Sequence, residues 1–189
     1  AMQVYRQDVP HYPLAGADAA IYQAFTIGRV RVIITDTRSA RSPASTPDGP
    51  GKTMLGAEQK AWFERELLAA DGRYPVIIWV NPSPWVGPAD PVSDGWAGYA
   101  HERAELSEFI AGHGIDDLVM VSGDAHMVAI DDGTNTNYSS TSGPSFPLLH
   151  AAALDRPGHT RGGPYSEGMI PGPGQFGIVE VHDDGTGDV

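Results

Sequence analysis

Asp116-Asp117-Leu118-Val119-Met120-Val121-Ser122-Gly123-Asp124-Ala125-His126-Met127 is the stretch on which the reading of this chain turns. Leu118–Val121 is a short, uninterrupted apolar run, the pattern of a buried strand. It stops at Ser122-Gly123, and a carboxylate and an imidazole follow at Asp124 and His126. Open α/β sheets collect their ligands at the carboxyl ends of strands, which is where these two residues fall. Gly123 permits a sharp turn and leaves room for an approaching group. On extended backbone, residues i and i+2 project to the same side. Asp124 and His126 can then grip one ion, or one ion and one substrate oxygen. Both are ordinary ligands for a divalent or trivalent metal. A solvated, capped turn is the other reading of the same residues.

Upstream, the pattern repeats. Val76–Val80 is a second apolar run, broken by Asn81-Pro82-Ser83-Pro84. Ala24–Ile27 and Val30–Thr35 flank Gly28-Arg29, a spacer that predicts a hairpin. Between these runs lie two helical stretches. About 56–70 carries Leu55, Trp62, Phe63, Leu67 and Leu68 at helical spacing and stops at Asp71-Gly72. About 99–113 carries Leu106, Phe109 and Ile110 and stops at Gly112 or Gly114. The order strand, helix, strand, helix, strand predicts an α/β fold with parallel pairing and right-handed crossovers. Residues 1–20 read as irregular and 39–52 as a Ser/Pro/Gly loop. Met127–Ile130, Asn137–Ser140 and Phe176–Val181 read as short strands, with 141–175 as a long ordered loop.

The chain has 189 residues, which predicts one domain, 1–189. Its formal charge is 12 − 24 = −12. That balance, with no basic patch, argues against nucleic-acid binding, whose affinity rests on Lys and Arg. Solubility accounts for the acidity more simply than cation binding does. The absence of cysteine excludes disulfides, thiolate metal sites and cysteine nucleophiles. No apolar run approaches the roughly 20 residues of a membrane span, and no signal peptide is visible, so localisation stays unassigned. No nucleophile elbow, phosphate-binding loop or dinucleotide fingerprint occurs.

Other polar groups also stand near strand ends. Asn81 offers an amide oxygen as a metal ligand, or simply forms a turn before Pro82. Arg38 suits an anion clamp and Asp36 a metal, although a structural ion-pair and hydrogen-bond network is the simpler expectation for both. Asp94-Gly95-Trp96 with Tyr99 and Glu102-Arg103 reads as a packed helix entry. His150, His159 and His182 read as surface histidines. Asp131-Asp132-Gly133 and Asp183-Asp184-Gly185 are tight-turn signatures.

Taken in order, Tyr22–Phe25, Gly28–Arg31, Asp36–Ser39, Lys52–Trp62, Asp94–Tyr99 with Glu102-Arg103, Val121–His126, Tyr165–Gly168 and Gln175–Gly177 resemble the PhoD-type alkaline phosphatase/phosphodiesterase family. The resemblance runs over roughly residues 20–182. It implies the metallophosphoesterase fold, of which this chain is expected to form the C-terminal half: a β-sheet flanked by helices, half of an αββα sandwich. It implies hydrolysis of phosphate mono- or diesters at a metal cluster, with iron and/or calcium as the ions. It carries Asp124 and His126 over as metal ligands, His126 also as a contact to the phosphoryl oxygen, and Arg38 and Asn81 more weakly. It also implies aspartate-bearing metal motifs N-terminal to the matched segments. These are absent here, so the isolated chain is expected to be inactive and able to stand without bound metal. The other expectation is a non-catalytic domain that dimerises or binds the missing half through an exposed apolar sheet face.

Overall fold

Short runs rich in β-branched residues over Val30–Ile34, Val76–Asn81 and Leu118–Ser122 build three parallel strands, and the two intervening helices return the chain each time. The computed structural model describes residues 2–15, 20–151 and 153–185. Among these, the order is α1 (Met2–Asp8), β1 (Gln23–Ile27), β2 (Val30–Ile34), α2 (Ala57–Ala70), β3 (Val76–Asn81), α3 (Ala100–His113), β4 (Leu118–Ser122), β5 (Met127–Asp131), β6 (Leu148–His150) and β7 (Met169–Pro171). One seven-stranded sheet results, ordered β1-β2-β3-β4-β6-β5-β7. β1 and β2 form the expected antiparallel hairpin about Gly28-Arg29. β6 joins β4 in parallel, and β5 and β7 close that edge antiparallel.

The two faces of the sheet differ. Ile33, Trp79, Met120 and Leu148 are paired in register across β2, β3, β4 and β6, and all are fully or almost fully buried. They share one core with Phe63 and Leu67 of α2 and Leu106 and Ile110 of α3. Phe63 lies 4.4 Å from Trp79, ring centre to ring centre. Trp85, Trp96 and Phe146 extend this aromatic core. The three fully buried indole N–H groups have acceptors: Trp79 donates to Thr35 Oγ1, Trp85 to Thr136 O and Trp96 to Asn81 Oδ1. Buried indoles need such partners. On the opposite face, Ile34, Val80, Val121, Leu149 and Ile130 form a second in-register row. None of these five is buried, and Ile130 is 46% exposed. The sheet thus packs its helices on one face and leaves a partly covered apolar row on the other.

Both long helices end where glycine allows it. Gly114 takes a left-handed φ of 71° and donates to the carbonyls of Ala111 and Ile110. The second helix is preceded by a 3-10 turn, Trp96–Tyr99, so regular α-helix begins at Ala100.

Several local expectations are corrected. Residues 1–20 are not wholly irregular, since Met2–Asp8 is helical; 16–19 lie outside the described residues. The stretch 141–175 contains two strands, β6 and β7. Asn137–Ser140 is not a strand: Asn137 Oδ1 takes the Ser139 N–H and Glu108 takes that of Ser140, so side chains replace a sheet neighbour. Phe176–Val181 is unpaired, and Phe176 and Ile178 are exposed. Asp131-Asp132-Gly133 does turn the chain, with buried Asp131 accepting the N–H groups of Gly133 and Asn135.

Candidate functional site

Because β2, β3 and β4 run parallel, the residues that follow them emerge at one end of the sheet. There Arg38 and Asp124 meet, while Asn81 ends the intervening strand β3 and is buried. Asp36 terminates β2 with a carboxylate that accepts the Arg38 and Ser39 N–H groups, at 2.9 and 3.1 Å. Gln59 of α2 clamps the Asp36 backbone on both sides, accepting its N–H at 2.6 Å and donating to its carbonyl at 2.8 Å. Asp36 is therefore structural, and its turn aims Arg38.

Arg38 donates through Nη2 to Asp124 Oδ1 at 3.2 Å and through Nη1 to Asp94 Oδ2 at 3.1 Å. Arg161 donates to Asp94 Oδ1 at 3.0 Å and stands 3.9 Å from Asp124 Oδ2. Arg41 binds the Asp94 backbone carbonyl at 2.6 Å. Burial disfavours the charged form of Asp94, but hydrogen bonds from Arg38 and Arg161 outweigh it and hold its carboxyl below the usual range. Asp94 is thus an electrostatic hub, where the sequence suggested a packed helix entry. Trp96, Tyr99, Glu102 and Arg103 are buried as expected of that entry. Asp94 and Arg161 also line a cavity of about 400 Å³ with Asp90, Ser93 and Trp96.

Asp124 has φ 75°, the one positive φ of a non-glycine among the described residues. An L-residue held there stores strain, and such residues gather at functional sites. Two residues on, His126 directs Nδ1 to the Pro157 carbonyl at 2.9 Å. A carbonyl only accepts, so Nδ1 carries the proton, which leaves Nε2 as the ring nitrogen that can serve as a ligand. Metal-ligating histidines are oriented in this way. The His159 ring stands edge-on at 6.4 Å, and the two residues also pair through their backbones.

Asn81 is fully buried and committed to the protein. Its amide donates to Ser83 O at 3.0 Å and to Met120 Sδ at 3.4 Å, and its Oδ1 accepts from Trp96 Nε1 at 2.9 Å. These bonds support the loop that carries Asp94. His150 is corrected: it is fully buried, not a surface residue. It receives the Ser122 hydroxyl on Nδ1 at 2.7 Å and donates from Nε2 to Ala125 O at 3.1 Å. Burial lowers its pKa, against the hydrogen bond to Ala125. The neutral ring ties β6 to the Ser122–His126 turn.

Sequence reasoning did not weigh Arg161, and it took Asp94 for packing. The signal at Arg161 is the Gly162-Gly163 pair that follows. Gly162 has φ 73°, and a Cβ on it would meet Val86 O at 2.0 Å, so only glycine lets this segment dock on the 84–97 loop.

Asp124 and His126 have the chemistry of metal donors. Among the described residues, however, no group of three or more His, Asp or Glu is arranged to hold a metal. Two such donors do not by themselves make up a metal site.

Residues 1–158 match the model of a protein family described as PhoD-like phosphatase. Alkaline phosphatase D of Bacillus subtilis (strain 168) is 27% identical over 144 residues, covering 65% of this chain and 25% of that protein. A solved structure described as PhoD superposes with a TM-score of 0.62 at 20% identity, covering 80% of this chain and 33% of the other. The chain therefore spans about a quarter to a third of the length of the relatives it matches.

Proposed function

Because this chain belongs to the PhoD-like phosphatase family, we propose that it supplies one side of a metal-dependent centre hydrolysing phosphate mono- or diesters. The observation that carries this reading is the strained Asp124, paired with Arg38 at the carboxyl ends of parallel strands. In it, Asp124 and His126 Nε2 are two donors of a metal site whose remaining ligands come from beyond this chain. A metal bound there would lower the pKa of a coordinated water and offset phosphoryl charge. Arg38 holds Asp124 in place and offers its guanidinium to a phosphoryl oxygen, a pairing that suits arginine's planar fork. His126, with Nδ1 fixed on Pro157, keeps one ring orientation through the cycle. Asn81 serves the site by supporting Trp96 and the 84–97 loop, with a ligand role open only to the second lone pair of Oδ1.

The open row Ile34–Val80–Val121–Leu149–Ile130 supports a second element of this proposal. Four of these side chains are half-buried and Ile130 is exposed, and a contiguous apolar row that stays unburied suits an interaction face. In this reading the face takes the second β layer of the sandwich, and in the isolated chain it drives self-association. A non-catalytic, self-associating domain is the competing reading that the same face favours.

Complementation separates the two. The chain is co-expressed with the metal-motif-bearing portion of a PhoD-like phosphatase, and the complex is assayed on a chromogenic phosphodiester with added iron or calcium. Hydrolysis that is lost in Asp124→Ala supports the enzyme reading. A stable complex with no turnover, or turnover indifferent to Asp124→Ala, contradicts it.

A further inference from the structure

Resting on the phosphoesterase reading, we infer that Arg161 and Arg38 form a two-arginine clamp for the phosphoryl group, and that Asp94 is a built-in competitor occupying it. Asp94 bridges the two guanidiniums, giving one carboxylate oxygen to each, at 3.1 Å from Arg38 Nη1 and 3.0 Å from Arg161 Nη1. A carboxylate spanning two guanidiniums occupies the position that two oxygens of a phosphate would take, since both anions accept the same charge-assisted hydrogen bonds.

Three observations make this a constructed site and not a chance surface pair. First, Arg38, Arg41 and Arg161 all contact Asp94, in a chain with only 12 Lys and Arg against 24 Asp and Glu. Such a chain has no surplus of cations to spend on one carboxylate. Second, Arg161 is held on rigid backbone. Gly163 N–H donates to Val86 O at 3.2 Å, and buried Tyr165 donates its hydroxyl to Arg161 O at 3.1 Å. A Cβ on Gly87 would stand 2.9 Å from Gly162 Cα, so the two loops meet backbone to backbone. Third, Arg41 holds Asp94 chiefly by its backbone carbonyl, at 2.6 Å against 3.8 Å to the carboxylate, so that anchor survives when the carboxylate turns. The side chains of Arg38, Arg161 and Asp94 are 46%, 43% and 41% exposed, so an anion can reach them and the ion pairs it displaces are weak.

The clamp lies beside Asp124, whose Oδ1 and Oδ2 stand 3.2 and 3.9 Å from Arg38 and Arg161. It would orient a phosphoryl group against the metal side of the centre. Asp94 is displaced only by an anion that engages both arginines at once, which suits a phosphate with its several acceptor oxygens.

The test is inorganic phosphate binding to the whole chain, kept metal-free with chelator and followed by amide chemical shifts. Metal-free binding reads the clamp, whereas metal-dependent hydrolysis in the complemented complex reads the phosphoesterase assignment, so the two fail separately. We expect phosphate to shift the Asp94, Arg161 and Gly162 amides. Asp94→Asn should tighten binding and Arg161→Ala should weaken it, each by about tenfold, the scale of one charge-assisted hydrogen bond. Arg161→Lys, which keeps the charge but not the fork, should fall between. The amide spectra of the same samples show whether each variant is folded, and Asp94→Asn adds no bulk. The inference is overturned if phosphate leaves these amides unmoved in both the wild type and Asp94→Asn. It is equally overturned if folded Arg161→Lys and Asp94→Asn bind phosphate as the wild type does.

Discussion

Arg38 and Asp124, 86 residues apart in sequence, meet through a 3.2 Å hydrogen bond between Nη2 and Oδ1 at the same end of the sheet. The parallel pairing of β2, β3 and β4 makes this possible, since each strand delivers its following residues to one edge. Asp124 makes the contact from a left-handed backbone conformation.

That conformation predicts a trade of function against stability. Asp124→Gly should be more stable than Asp124→Ala by about 1 kcal/mol, because glycine occupies positive φ without Cβ strain. Both variants lose the half-exposed ion pair to Arg38 alike, so it cancels in the comparison. Urea unfolding of both variants checks the difference. Equal stability would mean that the turn relaxes and stores no strain.

Asn81 gives a second test, of support against ligation. Asn81→Ala leaves Trp96 Nε1 without its acceptor in a fully buried place. The expected loss is about 1–3 kcal/mol of folding stability, the cost of one orphaned buried donor. With Trp96→Phe already in place, Asn81→Ala should cost clearly less, which a double-mutant cycle measures. If Asn81 were chiefly a ligand, the single variant would change metal affinity and leave the melting curve alone.

The open sheet face predicts concentration-dependent association. Sedimentation of the isolated chain should show oligomers, and Val121→Glu should return it to monomer without loss of helical signal. Val121 stands in the middle of the unburied row and pairs with Val80 and Leu149, so a charge there spoils the face and spares the core. A wild-type chain that stays monomeric at high concentration would remove the self-association reading.

Glu102 sets a pH dependence away from the site. Burial raises its pKa, against hydrogen bonds from Met54 N–H, Thr53 and Leu55 N–H. The folded state thus holds the proton more tightly than the unfolded chain. The stability this contributes is fully present below the unfolded pKa, near 4.3 for Glu, and is lost as pH rises through the folded value. Denaturant unfolding from pH 4 to 7 should show the wild type losing ground to Glu102→Gln with rising pH. Parallel curves would contradict the assignment.

The parts legible in sequence were those with local signals. Apolar runs bounded by Gly and Pro gave β1 to β5 and both long helices, and the Ser-Gly-Asp-Ala-His turn marked the strand end with Asp124 and His126. What stayed hidden depends on distant pairing. Arg161 reaches Asp94 across 67 residues, and nothing near Arg161 signals a charge partner. His150 is buried only because the three-residue β6 inserts between β4 and β5, out of chain order. Short strands in Gly/Pro-rich sequence lack the length that periodicity needs, so β6 and β7 read as loop.

The most direct test of the central claim is paramagnetic broadening by Mn(II), a probe for divalent ions, on the amide and imidazole resonances of the isolated chain. If this chain carries one side of a metal centre, Asp124, Ala125 and His126 should broaden first, at low affinity, and the effect should vanish in Asp124→Ala. Broadening spread over the acidic surface, or unchanged in folded Asp124→Ala, would contradict the assignment of Asp124 and His126 to the metal.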